Sequence, residues 1–144
     1  MTDVSNTNDS AQLCLFNPPT PKDARRLRGR RSYLAGQAAE QVVHRLYETR
    51  GYQVAASRWR GGGGEIDLIF RDGDTCVFVE VKHSSSFDKA VHSLTAAQIR
   101  RLMTAATVFV GGEPKGQLTD MRFDVALVNG RGETKIIENA LMAG

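Results

Sequence analysis

The chain has 144 residues, of which 41% are hydrophobic and 24% are charged, and its formal net charge is +3. This length and composition predict a single folded domain and exclude a fibrous or largely disordered chain. The apolar runs are far shorter than the roughly 18 residues of a membrane-spanning helix, and no secretory signal is recognised, so a cytoplasmic protein without membrane contact is expected. Cys14 and Cys76 lie in no metal-binding or disulfide pattern, so both are predicted to be reduced thiols.

The positive charge is concentrated at the N-terminus. Residues 1–31 hold six lysines and arginines against three aspartates, whereas the rest of the chain carries 13 residues of each sign. The stretch Asn17-Pro18-Pro19-Thr20-Pro21 disfavours regular structure, so we predict a disordered basic arm over residues 1–31 and a folded domain over residues 32–144. Such an arm binds nucleic-acid phosphates by counterion release, and a solvated solubility tail is the alternative. The arm residues assigned to nucleic-acid binding are Arg25, Arg26, Arg28, Arg30 and Arg31.

Hydrophobic periodicity predicts the element order αβββαββ in the folded domain. The first helix is expected over about residues 33–50, and the second begins at a capping-box pattern formed by Thr95 and Gln98 and ends at Gly111. The apolar stripe of the second helix is predicted to comprise Ile99, Leu102, Met103 and Ala106. The predicted strands are 53–59, 65–71, 75–82, 121–128 and 134–138. Residues 61–64 are expected to connect two strands flexibly, and residues 83–87 to form a polar loop.

Charged side chains occupy matching positions in the second and third predicted strands. Alternation divides the second strand into two faces, with Glu65, Asp67 and Ile69 on one and Ile66, Leu68 and Phe70 on the other. A two-residue turn at Gly73-Asp74 places Asp67 opposite Glu80 and Glu65 opposite Lys82. Facing carboxylates repel unless a cation lies between them, and a hard divalent cation such as Mg2+ prefers this oxygen-rich setting. The alternative is a solvated strand face with an inconsequential ion pair between Glu65 and Lys82.

Several segments resemble the YraN family of small, largely uncharacterised bacterial proteins. They are GGEIDLIF, the following VFVEVK, Gly36 and Glu40 on the preceding helix, and RFDVALV towards the C-terminus. The resemblance covers nearly all of residues 32–140 and leaves the arm outside. The family is similar to the restriction-endonuclease-like, or PD-(D/E)XK, nucleases with their D…ExK signature, a design that archaeal Holliday junction resolvases share. This resemblance implies an α/β fold with an αβββαβ core, in which helices flank a mixed central sheet.

The resemblance also implies a site for phosphodiester hydrolysis. Asp67 and Glu80 would ligate Mg2+ or Mn2+ with help from the Val81 carbonyl, and Lys82 would act beside the attacking water. Glu40 resembles the superfamily's additional acidic residue. The catalytic candidates are therefore Asp67, Glu80, Lys82, Glu40 and Glu65, and the metal-ligand candidates are Asp67, Glu80 and Val81. Metal and lysine chemistry suits a phosphodiester, because both counter the negative charge that develops during hydrolysis.

The sequence departs from the family where substrate contacts are expected. Family members commonly carry asparagine at the position of Arg58, a basic residue at that of Ser84 and a lysine near Gln98. Arginines outside the arm are the candidates to replace these phosphate contacts. They are Arg58, Arg60, Arg100 and Arg101.

Together, these features predict a Mg2+-dependent nuclease that acts on DNA, including branched or repair intermediates. The alternative is a non-catalytic nucleic-acid-binding module that retains the nuclease fold, and a third interpretation is an interaction protein without a nucleic-acid role. By analogy with resolvases, the resemblance suggests a homodimer. Protein partners are expected to supply specificity that so small a domain lacks.

Overall fold

The first helix, α1, covers Pro21–Thr49 and therefore begins well before residue 33, where it was predicted to begin. The computed structural model of the protein describes residues 20–140, apart from the side chains of residues 31–33 and 91. Thr20 caps the helix, since its hydroxyl accepts the Asp23 N–H at 3.1 Å and the Asp23 carboxylate accepts the Thr20 N–H at 3.1 Å. Proline is favoured in the first helical turn, so Pro21 starts the helix instead of preventing it.

The prediction of a disordered arm is thus wrong for residues 21–31, which are helical. Residues 1–19 of the predicted arm lie outside the described residues. The chain divides into two units, Met1–Leu34 and Ala35–Gly144, and the sheet with its apolar clusters belongs to the second unit.

A mixed five-stranded sheet forms the centre of the second unit. Its strands, in spatial order, are β1 (Gln53–Gly61), β2 (Gly64–Asp72), β3 (Thr75–His83), β4 (Met121–Val128) and β5 (Thr134–Ile137). Only β3 and β4 pair in parallel, and the other neighbours are antiparallel. A parallel pair requires a crossover, which here contains α2 (Phe87–His92), α3 (Ala96–Val110) and a short 3-10 turn at Gly116–Leu118. The mixed α/β architecture is confirmed, whereas the short helix α2 was not predicted.

Helix α3 begins with the predicted capping box. The Thr95 hydroxyl accepts the Gln98 N–H at 3.1 Å, and the Gln98 side chain accepts the Thr95 N–H at 3.0 Å. The buried stripe differs from the prediction, because Met103 is 41% exposed. The buried residues of the helix are Leu102, Ala105, Ala106 and Val110.

Helices α1 and α3 pack against opposite faces of the sheet through two apolar clusters. On the α1 side, Val43 and Tyr47 pack on the strand residues Phe70 and Val79. On the α3 side, the buried helix residues pack on a set that comprises Ile66, Ile69, Cys76, Phe78 and Phe123. Since both faces of β2 and β3 are buried, a charged side chain in these strands has little access to water unless it lies near a strand end.

The predicted alternation along β2 fails at Asp67. Ile66 was expected to share a face with Leu68, yet it packs in the α3-side cluster while Leu68 packs on the α1 side with Phe70. In the neighbouring strand, Ser57 pairs with Leu68, Trp59 pairs with Ile66, and Arg58 between them has a φ of 49°. This left-handed conformation lies opposite the irregularity at Asp67 and is unusual for arginine. Asparagine tolerates this conformation better than arginine does.

Glycines shape both hairpins of the sheet. The turn at Gly73-Asp74 is confirmed, because Asp72 pairs with Thr75. In the first hairpin, Gly61 pairs with Gly64 across a two-residue turn of Gly62 and Gly63, whose φ values are 59° and 80°. A Cβ atom at Gly64 would lie only 2.6 Å from the carbonyl oxygen of Arg101. Glycine therefore lets this hairpin contact the backbone of α3 directly.

A buried polar network joins α1 to the C-terminal half of the sheet. The fully buried Asp124 carboxylate accepts the Tyr47 hydroxyl at 2.6 Å, the Arg122 guanidinium at 2.8 and 2.9 Å, and the Asn139 N–H at 3.0 Å. Arg122 also donates to the Tyr52 hydroxyl at 2.9 Å. Because each polar group has a partner, the network stabilises the docking of α1.

No helix within residues 20–140 has the length and apolar composition needed to cross a bilayer.

Candidate active site

Asp67, Glu80 and Lys82 meet where β2 and β3 separate. The ladder between these strands runs from the Asp72–Thr75 pair to the Leu68–Val79 pair, and Asp67 and Glu80 are the next residues of each strand. The Asp67 carboxylate accepts the Val81 N–H at 2.8 Å. The Lys82 ammonium lies 3.5 Å from the Glu80 carboxylate, and their side chains are 15% and 17% exposed. Two carboxylates and one ammonium are thus held in a largely desolvated position.

Without a cation, the ionised carboxylates of Asp67 and Glu80 are disfavoured by burial and by their mutual repulsion. Burial is the main cause that raises the pKa of Glu80 to about 7, with a smaller contribution of the same sign from the nearby Asp67 and an opposing one from Lys82. Burial also raises the pKa of Asp67, with a smaller contribution of the same sign from Glu40. The Val81 N–H lowers the pKa of Asp67 and so stabilises its ionised form. Ionisation of one of the two acids therefore disfavours ionisation of the other.

Glu40 and Glu65 occupy different positions relative to this pair. Glu40, on α1, accepts a hydrogen bond from Arg58 at 3.1 Å and acts on Asp67 through its charge. Glu65 was predicted to lie opposite Lys82, but the β2–β3 ladder ends before it. Glu65 instead pairs across the first hairpin with Arg60, at 3.5 Å between the charged atoms, and is 43% exposed. That prediction is wrong because the strands separate at Asp67, leaving Arg60 as the nearest cross-strand partner of Glu65.

The donor set fits a hard divalent cation. Within residues 20–140, apart from the side chains of residues 31–33 and 91, no three acidic, histidine or cysteine side chains form a group that could hold a metal. Asp67 and Glu80 nevertheless offer oxygen ligands and mutual repulsion that a cation would relieve, and Mg2+ commonly uses one or two carboxylates while it retains water. Val81, expected to contribute its carbonyl, is seen here donating its N–H to Asp67.

The predicted nucleic-acid-binding arginines fall into three groups. The first, Arg25, Arg26, Arg28 and Arg30, is exposed on α1, and Arg31 belongs to the same helix. Arg58 is engaged with Glu40, and Arg60 with Glu65. Arg100 and Arg101 are exposed on α3. Only Arg60 and Arg101 of these line the cavity that adjoins Glu80, as far as the described residues show.

That cavity, about 490 Å³ in volume, was missed by sequence reasoning. The first glycine hairpin and the first turns of α3 form its walls, and Glu80 lies in its lining. The only sequence signal was the glycine run at residues 61–64, which indicates a turn but not what packs against it. The site therefore has a concave approach for a ligand as well as its charged residues.

Residues 39–128 match the family model described as "Uncharacterised protein family UPF0102". The chain belongs to the UPF0102 family. The resemblance to YraN proteins is confirmed to that extent, and the UPF0102 match includes Glu40, Asp67, Glu80 and Lys82 but excludes the basic turns of α1.

Curated UPF0102 relatives align over nearly their whole length. A UPF0102 protein of Ruegeria pomeroyi is 58% identical over 117 residues, which cover 81% of this chain and 95% of the relative. One from Cereibacter sphaeroides is 53% identical, with coverages of 80% and 98%. One from Dinoroseobacter shibae is 48% identical, with coverages of 83% and 89%. This chain thus contains the body of a typical family member.

The metal-free protein is expected to lose stability as the pH rises from about 4.5 to 7. Folded Glu80 has a pKa of about 7 against an ordinary value of 4.5, so the folded state retains a proton that the unfolded chain has released. The loss is up to about 3 kcal/mol, since one pKa unit corresponds to about 1.4 kcal/mol. Urea unfolding in EDTA across this pH range measures the change in the free energy of unfolding.

Glu80→Gln should flatten that pH profile and stabilise the metal-free protein at pH 8. Glu138→Gln, at an exposed position, is the control and should keep the wild-type profile. A wild-type profile in Glu80→Gln would show that Glu80 does not carry this proton.

Proposed function

We propose that this UPF0102 protein is a Mg2+-dependent nuclease that hydrolyses phosphodiester bonds of DNA. The observation that carries the proposal is the half-buried pair Asp67 and Glu80 with Lys82 beside it, where Glu80 lines an adjacent cavity. Two like charges at so little exposure are costly, and a cation bound between them would relieve that cost. The element order and mixed sheet support a restriction-endonuclease-like core, which we propose as the finer description of the fold.

The site residues have separate roles in the proposed hydrolysis. Asp67 and Glu80 would hold the cation together with the Val81 carbonyl, and the Val81 N–H keeps Asp67 oriented. When bound, the cation supplies Lewis acidity towards the phosphodiester. The Lys82 ammonium, anchored near Glu80, orients the attacking water and stabilises the negative charge that develops on the phosphoryl oxygens. Glu40 adds negative charge near Asp67 and so strengthens cation binding.

The exposed cations of α1 support a nucleic-acid substrate. Pro21–Thr49 begins with a turn that carries one acid, Asp23, and continues through four exposed arginines. These arginines provide sequence-independent attraction to phosphates, and their contribution falls with salt. We propose DNA as the polymer, branched or repair intermediates among its forms, and a homodimer or a protein partner as the source of selectivity.

Lys82→Arg is expected to lose most of the cleavage activity, by about tenfold or more. Arginine preserves the charge, but its planar guanidinium places that charge differently from a compact ammonium at 3.5 Å from Glu80. Initial rates at saturating DNA measure the loss, and binding affinity should change much less. Near-normal rates would remove Lys82 from the mechanism.

The proposal is tested by incubating single-stranded, duplex, flapped and four-way DNA, and RNA, with the protein in Mg2+, Mn2+ or EDTA. Cutting that requires the divalent ion and is absent from an Asp67→Asn preparation purified in parallel would establish the nuclease and its substrate. Equal cutting by both preparations would indicate a contaminant. Salt-sensitive binding without cutting would favour the non-catalytic module, and neither binding nor cutting would overturn the nucleic-acid role.

A further inference from the structure

The cavity beside Glu80 has walls from two rigid elements. The first hairpin contributes Gly63 and Gly64, and α3 contributes Gln98, Arg101 and Leu102. Its volume of about 490 Å³ lies within the range of roughly 300–1,000 Å³ that pockets for ligand-sized groups commonly have. The cavity therefore has room for part of a polymer strand whose reacting phosphate lies at Glu80.

The charged side chains of the lining are already paired, with one exception. Arg60 pairs with Glu65, and Glu80 pairs with Lys82. The neutral side chain of Gln98 accepts the Thr95 N–H through its amide oxygen in the capping box of α3. Arg101 makes no ion pair or side-chain hydrogen bond within the part of the chain that the structure describes. Among the described residues it is thus the positively charged donor of this cavity that is available to a ligand.

The backbone at Arg101 is held in place. Gly64 approaches so closely that a Cβ there would lie 2.6 Å from the Arg101 carbonyl oxygen, and the next residue, Leu102, is only 3% exposed in the core. The guanidinium therefore extends from a fixed point on the cavity wall. The fixed backbone limits the region that the Arg101 charge can reach, and a bound phosphate would order the side chain within that region.

We infer that this cavity holds the phosphate adjacent to the cleaved one, and that Arg101 is the positioning residue that binds it. The inference rests on the proposed nuclease function. Two carboxylates in the lining, Glu65 and Glu80, repel a free multiply charged anion, whereas a phosphodiester within a strand carries a single charge and is held by its neighbours. The fork of a guanidinium matches two phosphate oxygens.

The test compares Arg101→Gln with Arg100→Gln. Both variants remove one exposed positive charge from α3, but Arg100 is not among the described residues that line the cavity. Arg101→Gln should lower kcat/KM by about tenfold or more, a typical loss when one charge-assisted contact of about 1.4 kcal/mol disappears. The effect of Arg100→Gln should be at least several-fold smaller. Arg101→Lys should recover part of the loss, and Arg131→Gln, on an exposed turn, should match wild type.

Binding in EDTA separates this inference from the nuclease proposal. The slope of log affinity against log salt should fall by about 0.7 to 0.9 in Arg101→Gln, as expected for one lost phosphate contact. Equal slopes and equal rates in Arg101→Gln and Arg100→Gln would overturn the inference while leaving the nuclease intact. A wild-type protein that binds without cutting would overturn the nuclease, and the slopes would still decide the role of Arg101.

Discussion

Asp67→Asn is expected to reduce metal-dependent cleavage by about 100-fold or more. The substitution removes the charge of one of the two carboxylates that face each other at the end of the β2–β3 ladder. Losing one electrostatic contribution in an active site typically costs 10²–10³ in rate, on the order of magnitude known for such sites. Single-turnover rates with excess protein measure the effect without interference from product release.

Asparagine is the informative replacement at this position. Its side-chain oxygen can still accept the Val81 N–H that Asp67 accepts at 2.8 Å, so the backbone should keep its conformation. Removing the repulsion with Glu80 should leave metal-free Asp67→Asn at least as stable as wild type at pH 8. Asp72→Asn, at the exposed end of the same strand, is the matched control and should cleave normally. Full activity in Asp67→Asn would refute the assignment of the site.

Asp124→Ala is expected to destabilise the protein by about 3–5 kcal/mol, the usual cost of leaving a buried partner uncompensated. Asp124 has no exposed surface and accepts hydrogen bonds from three residues, Tyr47, Arg122 and Asn139. Its loss leaves the Arg122 guanidinium, 21% exposed, and the Tyr47 hydroxyl without their acceptor. Urea unfolding at neutral pH measures the change.

The control for this prediction is Asp74→Ala. Asp74 forms an ion pair with Lys115 at 3.2 Å, but the Asp74 side chain is 81% exposed, so its loss should cost no more than about 1 kcal/mol. Asp124→Asn should be intermediate, because an amide retains acceptors for some of the donors. An equal loss from Asp124→Ala and Asp74→Ala would show that the buried network contributes little.

The basic part of α1 lies outside the region that matches the family, whereas the carboxylate site lies inside it. The family match begins at residue 39, after the exposed arginines, whereas the site residues lie within it. In the proposed function, the site supplies the chemistry and the arginines supply affinity that salt weakens. Variants of the two regions should therefore separate turnover from binding.

The sequence by itself determined most of the architecture. Hydrophobic periodicity located the five strands and α3, and local turn chemistry set the register at Gly73-Asp74. That register continues to the Leu68–Val79 pair, so the position of Asp67 and Glu80 just beyond it followed from the turn. Capping was equally local, since the Thr95 and Gln98 pattern marks the start of α3. A similar signal at Thr20 and Asp23 marks the start of α1, although the surrounding prolines disfavour regular structure.

Only the tertiary structure decided the surroundings of those residues. Ile66 lies on the opposite face from the predicted one, and Glu65 pairs with Arg60 instead of Lys82 because the β2–β3 ladder ends before it. The distinction between Arg100 and Arg101 likewise depends on where Gly64 contacts α3. Local patterns report which residues can form an element, whereas these outcomes depend on contacts between elements far apart in the chain, which periodicity does not encode.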